Sequence, residues 1–423
     1  MLAIARVDGL RAYLVSTAFT LVPGGIQQVL FPWLVAVHLH ETPTRVGIAQ
    51  MAGQLPTLLL ILWGGLVGDR VDQRRLLIAL NVVLALPPLA MAALMHADLV
   101  VYAVLIGWAV IGGVIGAFAQ PARDALLSRV AGDDIQNVVT LTIGVQFGVQ
   151  ILGFALGSAA DRVGAEGLLI VQGVSMVAGA FAAAKVPGLP SRMRAARQRA
   201  REEIAEGIAI AWRSDAIRPA LLFTFAVGVF NAGAYMVLLP LIVRDIYHGG
   251  AQGIALTYAA NVLGTCTTIF FLMRRGGLER PGRALIVGGT TSLTILSSLH
   301  FELPVEAFYV VSYLWGLCGG ISMTMSRAIV QEASPESHRA RLMSVYSLGM
   351  MGGMPLGSLL IGWVTGEFGA RNAVLVPVFG MMTVLATLAA KTRLWHVERR
   401  NRDSSVDVTR IAPTVAAAAP EKA

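Results

Sequence analysis

Charge is what this chain is short of. Asp, Glu, Lys and Arg make up 14% of its 423 residues, where a soluble globular domain uses roughly 25%. So few charges could not cover the surface of a soluble fold this long. Lysine is scarcest, with only Lys185, Lys391 and Lys422 present. None of them follows a glycine, which excludes the Gly-Lys-Ser/Thr end of a phosphate-binding loop. Cysteine is reduced to Cys266 and Cys318, which gives no disulfide framework and reads as small apolar filler. The stretch HETPT at 40–44 lacks the second His of a zinc-hydrolase helix, and no Gly-x-Ser-x-Gly occurs. The sequence therefore offers no catalytic residue, no metal ligands and no cofactor site. It reads as something other than an enzyme.

What is present is apolar. Hydrophobic residues make up 56% of the chain and the mean hydropathy is +0.68, as expected where lipid replaces water around the fold. The pattern predicts an all-α integral membrane protein with twelve spans. These fall at about 13–39, 46–67, 76–95, 99–119, 137–160, 167–184, 220–243, 253–273, 284–300, 305–326, 341–364 and 372–390. The first run is longer than the apolar part of a signal peptide and has no convincing cleavage site, so it reads as a first transmembrane helix. Of the 33 Lys and Arg, only Arg45, Arg162, Arg244 and Arg371 fall in the loops of one side. By the positive-inside rule both termini are cytoplasmic. The basic blocks are short and dispersed between spans, which argues against nucleic-acid binding.

The chain divides into an N-terminal six-helix bundle (1–184), a basic linker (185–219), a C-terminal six-helix bundle (220–390) and a polar tail (391–423) expected to be disordered. In the linker Pro187, Gly188 and Pro190 break the preceding helix, and an amphipathic Arg-rich helix follows. Such a helix suits an anionic leaflet surface. The two bundles read as repeats. ILGFALGSAADRVGAEG (151–167) aligns with GGMPLGSLLIGWVTGEFG (352–369), and DRVDQRRLLI (69–78) with ERPGRALIVG (279–288). Many transporters place a substrate site between two such repeats.

The most charged short stretch, GGLVGDRVDQRRLL (64–77), lies in a tight loop after span 2. Its Gly65, Asp69, Arg70, Arg74 and Arg75 resemble the G-x-x-x-D-R-x-G-R-R/K signature of the major facilitator superfamily, with Asp72 where the family usually has Gly and Gln73 where it has Arg. AQPARDALLSRV (119–130), EEIAEGIAIAWRSDAIRPALLF (202–223) and LLPLIVRDIYHGGAQG (238–253) are similar to bacterial exporters of macrolides, other drugs and enterobactin. The resemblance implies the twelve-helix major facilitator fold in two six-helix repeats. It also implies a bacterial inner-membrane location, a monomer, and efflux of drug-like or siderophore-like small molecules, with protons as the coupling ion. A lysolipid transporter of the same fold is the alternative, and a receptor or scaffold using the linker and tail is a third.

The same resemblance implies a cytoplasmic gate. Asp69 would meet the start of the eleventh helix near 337–341, whose free N–H groups favour negative charge. Gly65 would allow the close approach, and Arg70 and Arg74 would pair with carboxylates such as Asp124.

No ionisable residue sits convincingly at mid-depth in any span, so no proton relay is legible. Uncharged amides take their place. In this fold the first, fourth, seventh and tenth helices line the cavity, flanked by the second, fifth, eighth and eleventh. The candidate cavity residues are Gln27, Gln28, Gln54, Gln146, Gln150, Asn231, Tyr235, Asn261 and Tyr313. They suit a neutral, amphipathic cargo or, alternatively, hydrogen bonds between helices. Gly144 and Gly148 are expected to mark a close helix contact.

Overall fold

The computed structural model describes residues 9–131, 135–186, 200–335 and 338–397. Some side chains inside helices, Gly65, Asp69 and Arg70 among them, lie outside the described set, as does the tail from 398 onward. Every regular element among the described residues is helical. Eight of the helices are long and apolar enough to cross a membrane.

The first half contains α1 (Leu10–Pro32), continued by a π-helical turn (Trp33–His38), then α2 (Pro43–Arg70), α3 (Gln73–His96), α4 (Tyr102–Ala131), α5 (Ile135–Gly157) and α6 (Ala160–Ala184). The linker helix is α7 (Ala200–Arg213). Beyond it run α8 (Ile217–Asp245), α9 (Ala251–Arg274), α10 (Pro281–Ser297), α11 (Val305–Ala333), α12 (Arg339–Ala373) and α13 (Leu375–Lys391). Local chemistry sets several boundaries. Thr42 caps α2, accepting from the Arg45 amide at 3.4 Å, with Pro43 in the first turn where its missing N–H costs nothing. Asp72, the departure from the family signature, caps α3 by accepting from the Arg75 amide at 3.0 Å.

The fourth helix runs past Pro121 to Ala131, so Asp124 lies on its inner end, and Arg123 is buried against α1, where the Tyr13 hydroxyl donates to its carbonyl at 3.3 Å. Two differences from the sequence reading have physical causes. The middle of α8 leaves α geometry in two π-helical turns, Val227–Ala232 and Ala234–Leu238, a distortion that single-sequence periodicity does not carry. Gly144 and Gly148 mark no close contact among the described residues, since a Cβ at either would meet open space there. The close crossing of α5 instead uses Gly153, where a Cβ would lie 2.6 Å from Gly25 Cα of α1. The helix turns the face carrying Gln150, Gly153 and Gly157 inward, leaving Gly144 and Gly148 on its exposed side.

Within the first half α2 packs on α4, α3 on α6, and α1 on α5 and α6. In the second, α9 and α10 pack on α11. The halves meet chiefly where α2 crosses α12 and α5 crosses α9. At the first crossing a Cβ on Gly47 would sit 2.5 Å from the Ser358 carbonyl, so only glycine permits this approach. Around the outside, large apolar residues such as Leu59, Leu86, Phe181, Phe271 and Phe379 are exposed. A surface of that kind is stable against lipid, not water.

Candidate functional site

The helix ends form two rims. The near rim carries the start of α1, the 70–73 turn and α7, and the far rim carries the turns that join α1 to α2, α5 to α6 and α8 to α9. Between them lies a cavity of about 350 Å³, walled by α1, α2, α3, α4 and α6 with one residue, Met236, from α8. Gln27, Gln28 and Gln54 line it, joined by Gln50, Gln172, Thr57 and the indole-bearing Trp108. Prolines supply part of the wall, Pro23 and Pro32 from α1 and Pro87 and Pro88 from α3. Among the described residues, none that lines this cavity is charged.

Two of the amides also tie the halves together. Gln50 Nε2 donates to the Met236 carbonyl at 3.3 Å and Gln54 Nε2 to Ser358 Oγ at 3.3 Å. Gln28 accepts from Gln150 at 3.2 Å, which fixes α1 against α5. Gln172 is 2% exposed and its amide nitrogen has no hydrogen-bond partner, a cost of about 1–3 kcal/mol for a buried donor.

The remaining candidates stand elsewhere. Asn261 Nδ2 donates to the Ser312 carbonyl at 3.2 Å and the Tyr313 hydroxyl to Thr267 Oγ1 at 3.3 Å, both across the α9–α11 contact. Tyr235 stacks at 4.5 Å between centroids on Tyr258, which in turn lies 5.8 Å from Phe154 of α5. Asn231, in the first π-helical turn of α8, has a buried Oδ1 without a partner. Gln150, Gln146, Asn231, Tyr235, Asn261 and Tyr313 are absent from the cavity wall. The sequence reading missed Gln50 and Gln172. Gln50 was legible as the i−4 neighbour of Gln54, and Gln172 as the one amide in an otherwise apolar sixth span.

At the near rim, Arg74 donates to the carbonyl of Ala184 at the end of α6, and Asp124 accepts from Gln120 one turn earlier at 3.0 Å and 3.1 Å. The side chains of Gly65, Asp69 and Arg70 are outside the described set. The start of α12 is engaged by the linker helix, Glu206 lying 2.6 Å from Arg341 and 3.3 Å from His338. Gly207 packs on the same helix at Val345. Ile208 and Trp212 remain exposed one turn apart, a pair suited to the interfacial zone.

The far rim is shut. Asp161, at the start of α6, accepts from Trp33 Nε1 at 2.8 Å in its own half and from the backbone N–H of Gln252 at 3.2 Å in the other. Gly250 precedes α9 and offers no side-chain cap, so Asp161 caps that helix from across the divide. A Cβ on Gly250 would lie 2.4–2.6 Å from the carboxylate, hence the glycine. Arg244 of α8 donates to the carbonyls of Ala36 at 3.1 Å and Glu41 at 2.8 Å. Nearby, burial pushes the Tyr247 phenol above its usual range, and its hydroxyl donates to the Leu303 carbonyl at 3.0 Å.

A bundle of apolar helices around a cavity lined by uncharged residues fits a multi-pass membrane protein, and the family match makes it a transporter of the major facilitator superfamily. Residues 4–420 match the family described as Transmembrane secretion effector, and the chain belongs to it. It is 23% identical over 402 residues to the Staphyloferrin A transporter of Staphylococcus aureus, covering 89% of this chain and 94% of that one. It is 27% identical over 372 residues to the Multidrug efflux pump Tap of Mycolicibacterium fortuitum, covering 80% and 84%. Among solved structures, a bacterial homologue of the human lysosomal transporter Spinster, inward-facing and unoccupied, superposes with a TM-score of 0.74 at 10% identity, over 93% of this chain and 98% of that one. The nucleoside transporter NupG gives 0.72 at 12%, over 90% and 98%. At those identities the likeness is one of fold.

Proposed function

We propose that this protein is a secondary active exporter of neutral, amphipathic small molecules, working by alternating access between two six-helix halves at 1–184 and 220–390. It resides as a monomer in the bacterial inner membrane, with both termini cytoplasmic. The observation that carries the reading is where the halves touch. Hydrogen bonds that cross toward the far rim hold them together: Gln50 to Met236, Gln54 to Ser358, Arg244 to Ala36 and Glu41, and Gln252 to Asp161. A set of single, breakable contacts across that rim suits a carrier that closes and reopens it in turn. With the positive-inside orientation, the closed rim is the outer one.

The two-repeat reading has support in the backbone. Gly164 before the body of α6 and Gly369 before α13 share one left-handed conformation, φ 76, ψ 160 and φ 77, ψ 162. The uncharged cavity favours neutral cargo, since a fixed charge in so apolar a wall would lack a counter-ion. A lysolipid fits less well, because its phosphate would find no cation there. Protons are the coupling ion, and the carboxylates at the rims, Asp69, Asp124, Asp161 and Glu367, are the candidates to carry them.

The test is efflux by purified protein in liposomes. Export should follow an imposed proton gradient and ignore ATP. Uptake of a neutral dye that stays the same with and without the gradient would defeat the coupled-exporter reading.

A further inference from the structure

The second half ends in a short hook at the near rim. Beyond α13, which closes at Lys391, residues 392–397 turn back onto the start of α10. Leu394 is fully buried there, and the Gly282 amide donates to the Val397 carbonyl at 3.4 Å. A Cβ on Gly282 would run into the Leu394 carbonyl, so glycine is what lets the hook lie against the helix. Lys391, Arg393, Trp395 and His396 are left exposed. Arg283, next to Gly282, sits over the Trp395 ring at 5.4 Å from its centroid. Of the four far-rim arginines, Arg45, Arg244 and Arg371 each meet a carboxylate. Neither Lys391 nor Arg393 is in an ion pair among the described residues. The turn that leads into α10 brings Glu279 and Arg280 to the same end of the half. That turn starts from α9, where exposed Phe270, Phe271 and Met273 give way within one turn to exposed Arg274 and Arg275. Bare rings followed at once by cations mark where a helix leaves hydrocarbon for headgroups.

We infer that the hook and the start of α10 form a docking surface for an anionic phospholipid of the near-rim leaflet, its phosphate held by Lys391 and Arg393. The phosphate of such a lipid carries a negative charge that no choline or ethanolamine offsets. Two exposed cations without a carboxylate partner complement that charge. Trp395, with Arg283 over its face, suits the boundary zone, since an indole offers an apolar body to the chains and an N–H to the headgroups. Because Leu394 anchors the turn, the two cations are held against α10 at one place. The inference needs the helices to lie in a bilayer and is independent of any cargo.

The experiment uses the purified full-length protein in detergent micelles. Native mass spectrometry compares its affinity for dioleoyl phosphatidylglycerol with that for dioleoyl phosphatidylcholine. One cation beside an anionic headgroup changes binding about fivefold, so the wild type should favour phosphatidylglycerol about twentyfold. Lys391→Gln with Arg393→Gln should bring that ratio to about one, whereas Lys391→Arg with Arg393→Lys should keep it. Removing two exposed near-rim cations elsewhere, by Lys185→Gln with Arg213→Gln, should leave the ratio unchanged. Gly282→Val keeps every charge but pushes the hook off α10, and should also lower the ratio. A ratio near one in the wild type, a ratio that survives loss of both hook cations, or an equal fall in the Lys185 and Arg213 pair would overturn the inference. Displacement of the lipid by an equal concentration of glycerol 3-phosphate would do the same, making the surface a site for soluble phosphates. A preference seen only after residues 398–423 are removed would assign the surface to the chain's own tail.

Discussion

Removing the Asp161 carboxylate should open the far rim. Two hydrogen bonds converge on it, but they do not count equally. The bond from Trp33 joins two elements of the same half, so it persists whichever rim is closed. The bond from Gln252 crosses between halves and exists only while the far rim is shut. The quantity that shifts the equilibrium is therefore a single helix cap, worth about 1 kcal/mol at a solvent-accessible site. Asp161→Ala should raise the ratio of far-rim-open to far-rim-closed molecules about fivefold. Gly250→Val should act in the same direction without removing charge, since its Cβ would sit 2.4–2.6 Å from the carboxylate. Spin labels at Leu99 and Phe301, exposed in far-rim turns of the two halves, would report the change as a longer interlabel distance. Cys266 and Cys318 would be replaced first, so that only these positions carry label. A distance distribution identical in wild type, Asp161→Ala and Gly250→Val would show that this cap does not hold the rim.

Other outcomes follow from the same geometry. Arg244→Gln should also favour an open far rim, because the donations to Ala36 and Glu41 both cross the divide; interlabel distances matching wild type would count against it. Asp69→Asn and Gly65→Leu should have the opposite bias, opening the cytoplasmic side and slowing net export. Crosslinking between the near-rim ends of α2 and α12 that matches wild type, with equal transport, would reduce the 64–77 cluster to a topology signal. Gln54→Ala, which removes a cavity donor and its bond to Ser358, should raise the apparent KM for a neutral cargo severalfold while expression stays normal. Unchanged export kinetics would remove Gln54 from the cargo path. Single cysteines at Asp98, His248 and Glu302 should react with an impermeant thiol reagent added outside whole cells, and a cysteine at Arg74 should not; outer labelling at 74 would reverse the topology.

Much of this protein is dictated by local chemistry and was legible without coordinates. Helix-forming apolar runs must satisfy their backbone internally once water is gone, so the all-helical character followed from composition. The sidedness of the basic loops is equally a property of the chain. So is the family signature around Asp69, and the choice of uncharged amides, since burying a glutamine costs far less than burying a charge. What sequence could not assign is which face of each helix meets which neighbour. Gln146 and Gln150 share a stripe with Gly153 and Gly157, yet that stripe packs on α1, because glycine at 153 lets the two backbones touch. Asn261 and Tyr313 look like cavity residues and are spent on the α9–α11 contact. Asp161 reads in the sequence only as one of the carboxylates at the membrane edge, and becomes a cap only when the fold brings the start of α9, some ninety residues away, onto it. Gln172 is one polar letter in an apolar span, and only the packing around it buries that amide and leaves its nitrogen without a partner among the described residues. Hydrophobic patterning fixes that a helix is buried and where it crosses the bilayer. Pairing between helices depends on shape across long sequence separations, which a one-dimensional pattern does not contain.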